Sequence, residues 1–297
     1  MAGSSSEAAA PAAEDTNIDA TNIERIRVAI LYDPVKREEA EPGYPSPALE
    51  EVLAACDDID ASELSLAELL AGGLDDFTCL CVPGGFAHNY ASRLGADGMA
   101  LIQQFVASGG GYVGICAGAY VGSAQGLALL PVECEDVHRW ARGSGPCQLR
   151  WTQMGHRALG TAAPLDEHGE LTPPFTVRYN NGPCMRIQDG SGAEEEDVLK
   201  SGGGAPKSLA TFCTEFRDVL HAGHRFGSRL EGSPAVVAGR YQRGTEQQQR
   251  SGMVVLASPH LEDATDVNAL IPFGNLFRLA SRESFYQRFV EANAKVG

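Results

Sequence analysis

The chain has 297 residues, 43% of them apolar, which is enough for one large or two small domains with a real buried core. Lys and Arg total 23 against 39 Asp and Glu, and the formal charge of −16 repels nucleic-acid phosphates and anionic lipid headgroups, so neither is expected as a partner. There is no apolar run of the roughly 18 residues a membrane span needs, and the N-terminus lacks both a secretory signal and the arginines of a transit segment.

Residues 1–22 are acidic and rich in Ala and Ser, too poor in apolar surface to offset the entropy of ordering, and are expected to form a disordered tail ahead of a single α/β domain over 23–297. Arg27 to Tyr32 is a short apolar run stopped by Asp33-Pro34, which predicts a buried strand. Pro47 to Cys56 follows with Leu49, Val52 and Leu53 at helical spacing behind Ser46-Pro47. Phe77 to Val82 is a second apolar run, ended by Pro83-Gly84-Gly85. Met99 to Val106 has helical periodicity and stops at Gly109-Gly110-Gly111, after which Tyr112 to Ile115 predicts a third strand.

Strands and helices alternating in this way predict a doubly wound, mostly parallel sheet flanked by helices, with ligands beyond the carboxyl ends of the strands. The second half carries short β-like runs at Phe175 to Tyr179, Leu209 to Phe212, Ala235 to Ala238 and Met253 to Ala257, expected to extend the sheet with an antiparallel portion. Residues 194–204 read as a solvated loop. Gly202 to Ser208 looks superficially like a phosphate-binding loop, but Pro206 stands where that pattern needs glycine. The segment from Asn275 to Val296 predicts a closing helix.

Eight cysteines are too sparse for a disulfide scaffold, and none is spaced as CxxC, so no metal site or dithiol pair is indicated. A reducing, cytoplasmic setting is the simplest reading, and no cofactor is expected. One cysteine stands apart. In Gly114-Ile115-Cys116-Ala117-Gly118 a thiol directly follows an apolar strand, with glycine two residues to either side. A nucleophile on a sharp strand-to-helix turn needs such small neighbours because its backbone is strained and crowded, and the dipole of the following helix favours the reactive thiolate. The same string also suits a buried structural thiol, since free cysteine is among the most buried residue types. Cys79 and Cys81, two apart in an apolar run, read as core, and the remaining five as structural.

Ser258-Pro259-His260-Leu261-Glu262 follows the apolar run ending at Ala257. In an extended segment residues two apart point the same way, so Glu262 could fix the tautomer of His260 while the imidazole faces a nucleophile, although a surface His beside a surface Glu has the same spacing. His138, His156, His168, His221 and His224 lie in polar, turn-rich stretches. His88, close behind the Gly84-Gly85 loop, is a possible substrate contact.

Taken together, Val82-Pro83-Gly84-Gly85, the run from Gly109 to Tyr120, Tyr179-Asn180-Asn181-Gly182-Pro183 and Ser258 to Glu262 resemble the class I glutamine amidotransferase-like superfamily. Within it the nearest resemblance is to the biotin-protein-ligase N-terminal-domain-like family. The resemblance implies a flavodoxin-like fold in which Cys116 attacks a carboxamide, His260 and Glu262 complete a triad, and backbone N–H groups of Gly85 and Ala117 hold the oxyanion. Gly84, Tyr120, Asn181, Gly182 and His88 would surround the substrate. Those enzymes usually carry Gln four residues after the nucleophile, where this chain has Tyr120, so glutamine itself is not implied. They also usually place Pro between the late His and Glu, where Leu261 stands here. No biotin-ligase signature is recognisable, so biotin transfer is not expected. The related protease and glyoxalase branch commonly has His directly after the cysteine, where this chain has Ala117. The reading that results is a cysteine-nucleophile hydrolase or amidotransferase-like enzyme with a small-molecule substrate. Its alternative is a catalytically silent binding or regulatory domain on the same scaffold.

Overall fold

The computed structural model describes residues 25–32, 47–140, 142–161, 174–188, 205–214, 229–241, 251–264 and 267–294. The acidic tail over 1–22, the loop over 194–204, and His168, His221 and His224 lie outside the described residues.

Strand β1 (Ile26–Tyr32) leads through helix α1 (Pro47–Ala54) to β2 (Ile59–Ser65), and α2 (Leu66–Leu70) leads to β3 (Cys79–Val82). Helix α3 (Ala87–Ala107), β4 (Gly111–Ile115) and the short α4 (Ala117–Gly122) complete the first half. The chain continues through β5 (Val132–Cys134), β6 (Ser144–Trp151), α5 (Gln153–Ala158), β7 (Phe175–Asn180) and β8 (Met185–Ile187). It closes with β9 (Lys207–Phe212), β10 (Pro234–Arg240), β11 (Met253–Ala257) and the long helix α6 (Val267–Ala294).

Among the described residues nine strands form one sheet in the order β2-β1-β3-β4-β11-β10-β9-β6-β7, and β5 pairs with β8 apart from it. From β2 to β11 every neighbour is parallel, while β10, β9, β6 and β7 extend the sheet antiparallel. This is the doubly wound, mostly parallel α/β sheet flanked by helices, with an antiparallel extension, that the strand and helix alternation predicts. Side chains of β1 alternate between two cores. Val28 and Ile30 pack with Leu49 and Leu53 of α1 and with Phe273 and Phe277 of α6, whereas Ala29 and Leu31 pack with Leu69 of α2 and Ile102 and Val106 of α3. Both faces are therefore covered, and the inner parallel strands β1, β3, β4 and β11 read as nearly continuous apolar runs because neither face meets water.

Several elements differ from the sequence reading. Strand β2 and helix α2 occupy a stretch with no clear periodicity; β2 is an edge strand with four polar residues in seven, and α2 is started by a capping box in which Ser65 Oγ accepts from the Glu68 N–H and the Glu68 carboxylate accepts from the Ser65 N–H. Helix α3 begins twelve residues before Met99 and breaks at Gly95, whose φ of 58° is open to glycine. Lys207 and Ser208, the end of the phosphate-loop-like string, are the first residues of β9. Among the described residues, no helix is long and apolar enough to cross a membrane.

Candidate active site

Strands β3, β4 and β11 are adjacent and parallel, with Val82 level with Gly114 and Ala257 level with Ile115. The loops leaving their carboxyl ends therefore emerge side by side. They carry Gly84 and Gly85, Cys116, and His260, which brings residues from three distant parts of the chain to one rim of the sheet.

Cys116 is the hinge between β4 and α4. Its φ of 50° and ψ of −99° lie in a region that L side chains avoid, as expected of a residue turned outward on a tight elbow. The flanking glycines are needed for contact as well as for freedom: a Cβ on Gly118 would lie 1.9 Å from the Val82 carbonyl oxygen, and one on Gly114 would lie 2.4 Å from that of Gly118. Cys116 is only 6% exposed and lines a cleft of about 640 Å³. Ala117 is the first residue of α4, so its N–H has no partner within the helix.

His260 stands after β11, where its N–H donates to the Arg178 carbonyl at 2.8 Å and ties it to β7. Gly84 lies flat against the imidazole, and a Cβ there would come within 2.6 Å of His260 Cε1. Nδ1 of the ring is 2.8 Å from Glu262 Oε1, and the ring lines the same cleft as the Cys116 sulfur. Burial disfavours the imidazolium, but the hydrogen bonds and negative charge offered by Cys116 and Glu262 outweigh it and raise the His260 pKa to about 10. The pairing is achieved differently from the sequence expectation. Leu261–Asp263 forms a 3-10 turn, not an extended segment, and the turn swings the fully buried Glu262 back beneath the ring. Leu261, in the place usually held by Pro, is buried in the core and leaves this geometry intact.

The opposite wall comes from the end of β7. The Cys116 sulfur lies 3.4 Å from the Asn180 carbonyl oxygen, within hydrogen-bond reach of it. Asn181 adopts φ 54°, a left-handed conformation asparagine tolerates, and its carbonyl accepts from the Tyr120 hydroxyl at 3.3 Å. Gly85, Ala117, Tyr120, Asn181 and His88 line the cleft with Cys116 and His260. Gly84 and Gly182 lie just behind its walls, Gly84 against His260 and Gly182 against the Ser258 backbone, where a Cβ would meet the carbonyl oxygen at 2.0 Å. The structure thus brings Cys116, His260 and Glu262 together at one point.

Residues absent from the sequence reading complete the cleft. Arg178 reaches Asp263 at 3.2 Å, and Arg142 enters from the segment before β6. Arg178 and Asn180 alternate with buried Val177 and Tyr179 along β7, a period-2 pattern that marks them as one exposed face. Arg142 has no comparable local signal. The exposed side chains of Phe86 and Val137 add an apolar rim.

Comparison with known proteins agrees with this architecture. A family model described as biotin-protein ligase, N terminal, matches residues 75–127, the segment from β3 through the Cys116 elbow. No curated protein matches the chain. Among solved structures, PurLQS from Thermotoga maritima is similar at 14% identity with a TM-score of 0.50, covering 86% of this chain and 98% of that one. A protein described as a GMP synthase subunit from Thermoplasma acidophilum is similar at 10% identity with a TM-score of 0.51, covering 89% and 98%. These likenesses are of fold, and with the family match they bear out the resemblance read from the sequence.

Proposed function

We propose that the protein is a cysteine-nucleophile hydrolase or amidotransferase-like enzyme acting on an amide or related carbonyl of a small molecule, in a cytoplasmic setting. The observation that carries this reading is the strained Cys116 elbow facing a His260 imidazole that is itself held by buried Glu262. A structural thiol has no use for a positive φ or for a buried His–Glu pair at its sulfur.

In the proposed reaction the Cys116 proton resides on His260 as an imidazolium held by Glu262, and the thiolate sulfur attacks the substrate carbonyl carbon. The C–S bond forms as the carbonyl π electrons move to oxygen, where the N–H groups of Gly85 and Ala117 offset the developing charge. His260 then gives its proton to the leaving nitrogen, the C–N bond breaks, and ammonia or an amine departs from a thioester. Water, losing a proton to His260, attacks that thioester; the C–S bond breaks, the thiolate is restored and a carboxylic acid leaves. An acceptor amine in place of water would make the second half a transfer. Glu262 keeps Nδ1–H directed away from the sulfur and stabilises the imidazolium throughout.

The test is ammonia release from a panel of small carboxamides, with the acyl-enzyme trapped and mapped by mass spectrometry. A covalent adduct on Cys116, with release abolished in Cys116→Ala, is expected. Turnover undiminished in Cys116→Ala would sink the proposal, and a panel bound without turnover or adduct would favour the silent binding domain.

A further inference from the structure

The chain carries a net charge of −16, yet the side chains around the candidate nucleophile have the opposite character. Arg142, Arg178, His88 and His260 face the cleft, and the acid among the lining residues, Asp263, is already engaged by Arg178 at 3.2 Å. Arg142 is placed differently from Arg178. Among the described residues three arginines have a buried Nε with no hydrogen-bond partner, and of these Arg142 lines this cleft. No carboxylate among the described residues forms an ion pair with it. Its charge acts on Tyr120 and Tyr179, the two rings that also sense the Cys116 sulfur, so guanidinium and nucleophile share one small volume. A partly buried guanidinium is costly unless an anion meets it, and its planar fork suits a carboxylate.

We propose that Arg142 is the specificity residue of this cleft and binds the carboxylate of an anionic substrate whose carbonyl reaches Cys116. The assignment rests on the proposed reaction for the identity of the reacting group, but the anion site stands on the cleft itself. It also sets a preference within that class. Asp263 is occupied by Arg178, so the lining offers no free carboxylate for a substrate ammonium. A monoamide of a dicarboxylic acid, which carries charge −1, therefore fits better than a zwitterionic amino-acid amide such as glutamine.

Two measurements test this. The first compares alkylation of Cys116 by iodoacetate and by iodoacetamide, with peptide mapping, in the wild type, Arg142→Gln and Arg142→Lys. Relative to a free small thiol, the wild type is expected to favour iodoacetate, and Arg142→Gln to lose roughly tenfold of that preference while Arg142→Lys keeps most of it. His260 also attracts the anion, so the difference among the Arg142 variants, not the wild-type ratio, is the readout. The second is calorimetric binding of glutaramate, butyramide and glutamine to Cys116→Ala, with and without Arg142→Gln. Glutaramate is expected to bind tightest, with its advantage lost in the double variant. An alkylation ratio indifferent to Arg142, or equal binding of glutaramate and butyramide, would overturn the proposal while leaving the nucleophile reading untouched. A Cys116 inert to both reagents would instead defeat the nucleophile reading, and calorimetry would then decide the anion site by itself.

Discussion

His260 Nδ1 and Glu262 Oε1 lie 2.8 Å apart across a 3-10 turn, and the second carboxylate oxygen, Oε2, has no hydrogen-bond partner among the described residues. The whole orienting force of Glu262 is therefore exerted on one ring. Glu262→Gln keeps the shape but lets the amide present either oxygen or nitrogen to Nδ1. It is expected to lower the His260 pKa from about 10 and to reduce turnover by roughly 10²- to 10⁴-fold, less than Cys116→Ala. NMR titration of the His260 ring beside a rate measurement separates this from a simple loss of structure.

Cys116 should be the first of the eight cysteines to react with iodoacetamide near neutral pH. Burial raises the thiol pKa of Cys134 to about 11 and of Cys147 to about 12, and pushes Cys79 and Cys81 higher still, so their thiolate fractions at pH 7 are on the order of 10⁻⁴ or less. Cys116 instead has His260 at hand to take its proton. His260→Ala should slow labelling at Cys116 and leave the other positions unchanged, as quantitative peptide mapping would show. Equal slowing at every cysteine would mean that the variant had altered the fold.

Two glycines should separate activity from stability. A methyl on Gly84 meets the imidazole at 2.6 Å, and a ring can rotate away, so Gly84→Ala is expected to lose most activity at near-normal thermal stability. A methyl on Gly118 meets the Val82 carbonyl at 1.9 Å, and backbone in the centre of a sheet cannot yield. Gly118→Ala should cost about 1–3 kcal/mol or more in denaturant unfolding together with activity.

The protonated His260 also links stability to pH. Its folded pKa of about 10 exceeds the ordinary value of 6.5, so its contribution is fully present below pH 6.5 and is lost as pH rises towards 10. The melting temperature of the wild type relative to His260→Gln should be greatest at about pH 6 and should fall steadily up to about pH 10. A difference that is flat across this window would show that the imidazolium contributes nothing to the folded state.

Cys116→Ala and His260→Ala should each remove nearly all turnover, and the double variant should lose little more than either, because the two groups act on one proton. Additive losses in single-turnover assays would assign them independent roles.

The sequence by itself determined the parallel half of the molecule and the elbow. Strands buried on both faces must be apolar throughout, so β1, β3, β4 and β11 stand out as short runs, and the last three end at the loops that hold Gly84, Cys116 and His260. Spacing alone also pairs His260 with Glu262, although the segment that joins them is a 3-10 turn where an extended one is expected. Tertiary structure decided the rest. Strand β2 is an edge strand held in place by its register with β1, and β6, which contains Gly145 and Pro146, exists because β7 and β9 pair with it from either side. The Arg178–His260 bridge joins β7, the far edge of the sheet, to the β11 loop, setting Asn180 against the Cys116 sulfur; Arg142 enters the same cleft from the segment before β6. None of this has a local signature, since hydrogen bonds between strands far apart in sequence depend on where the whole sheet carries them, not on the residues at either end.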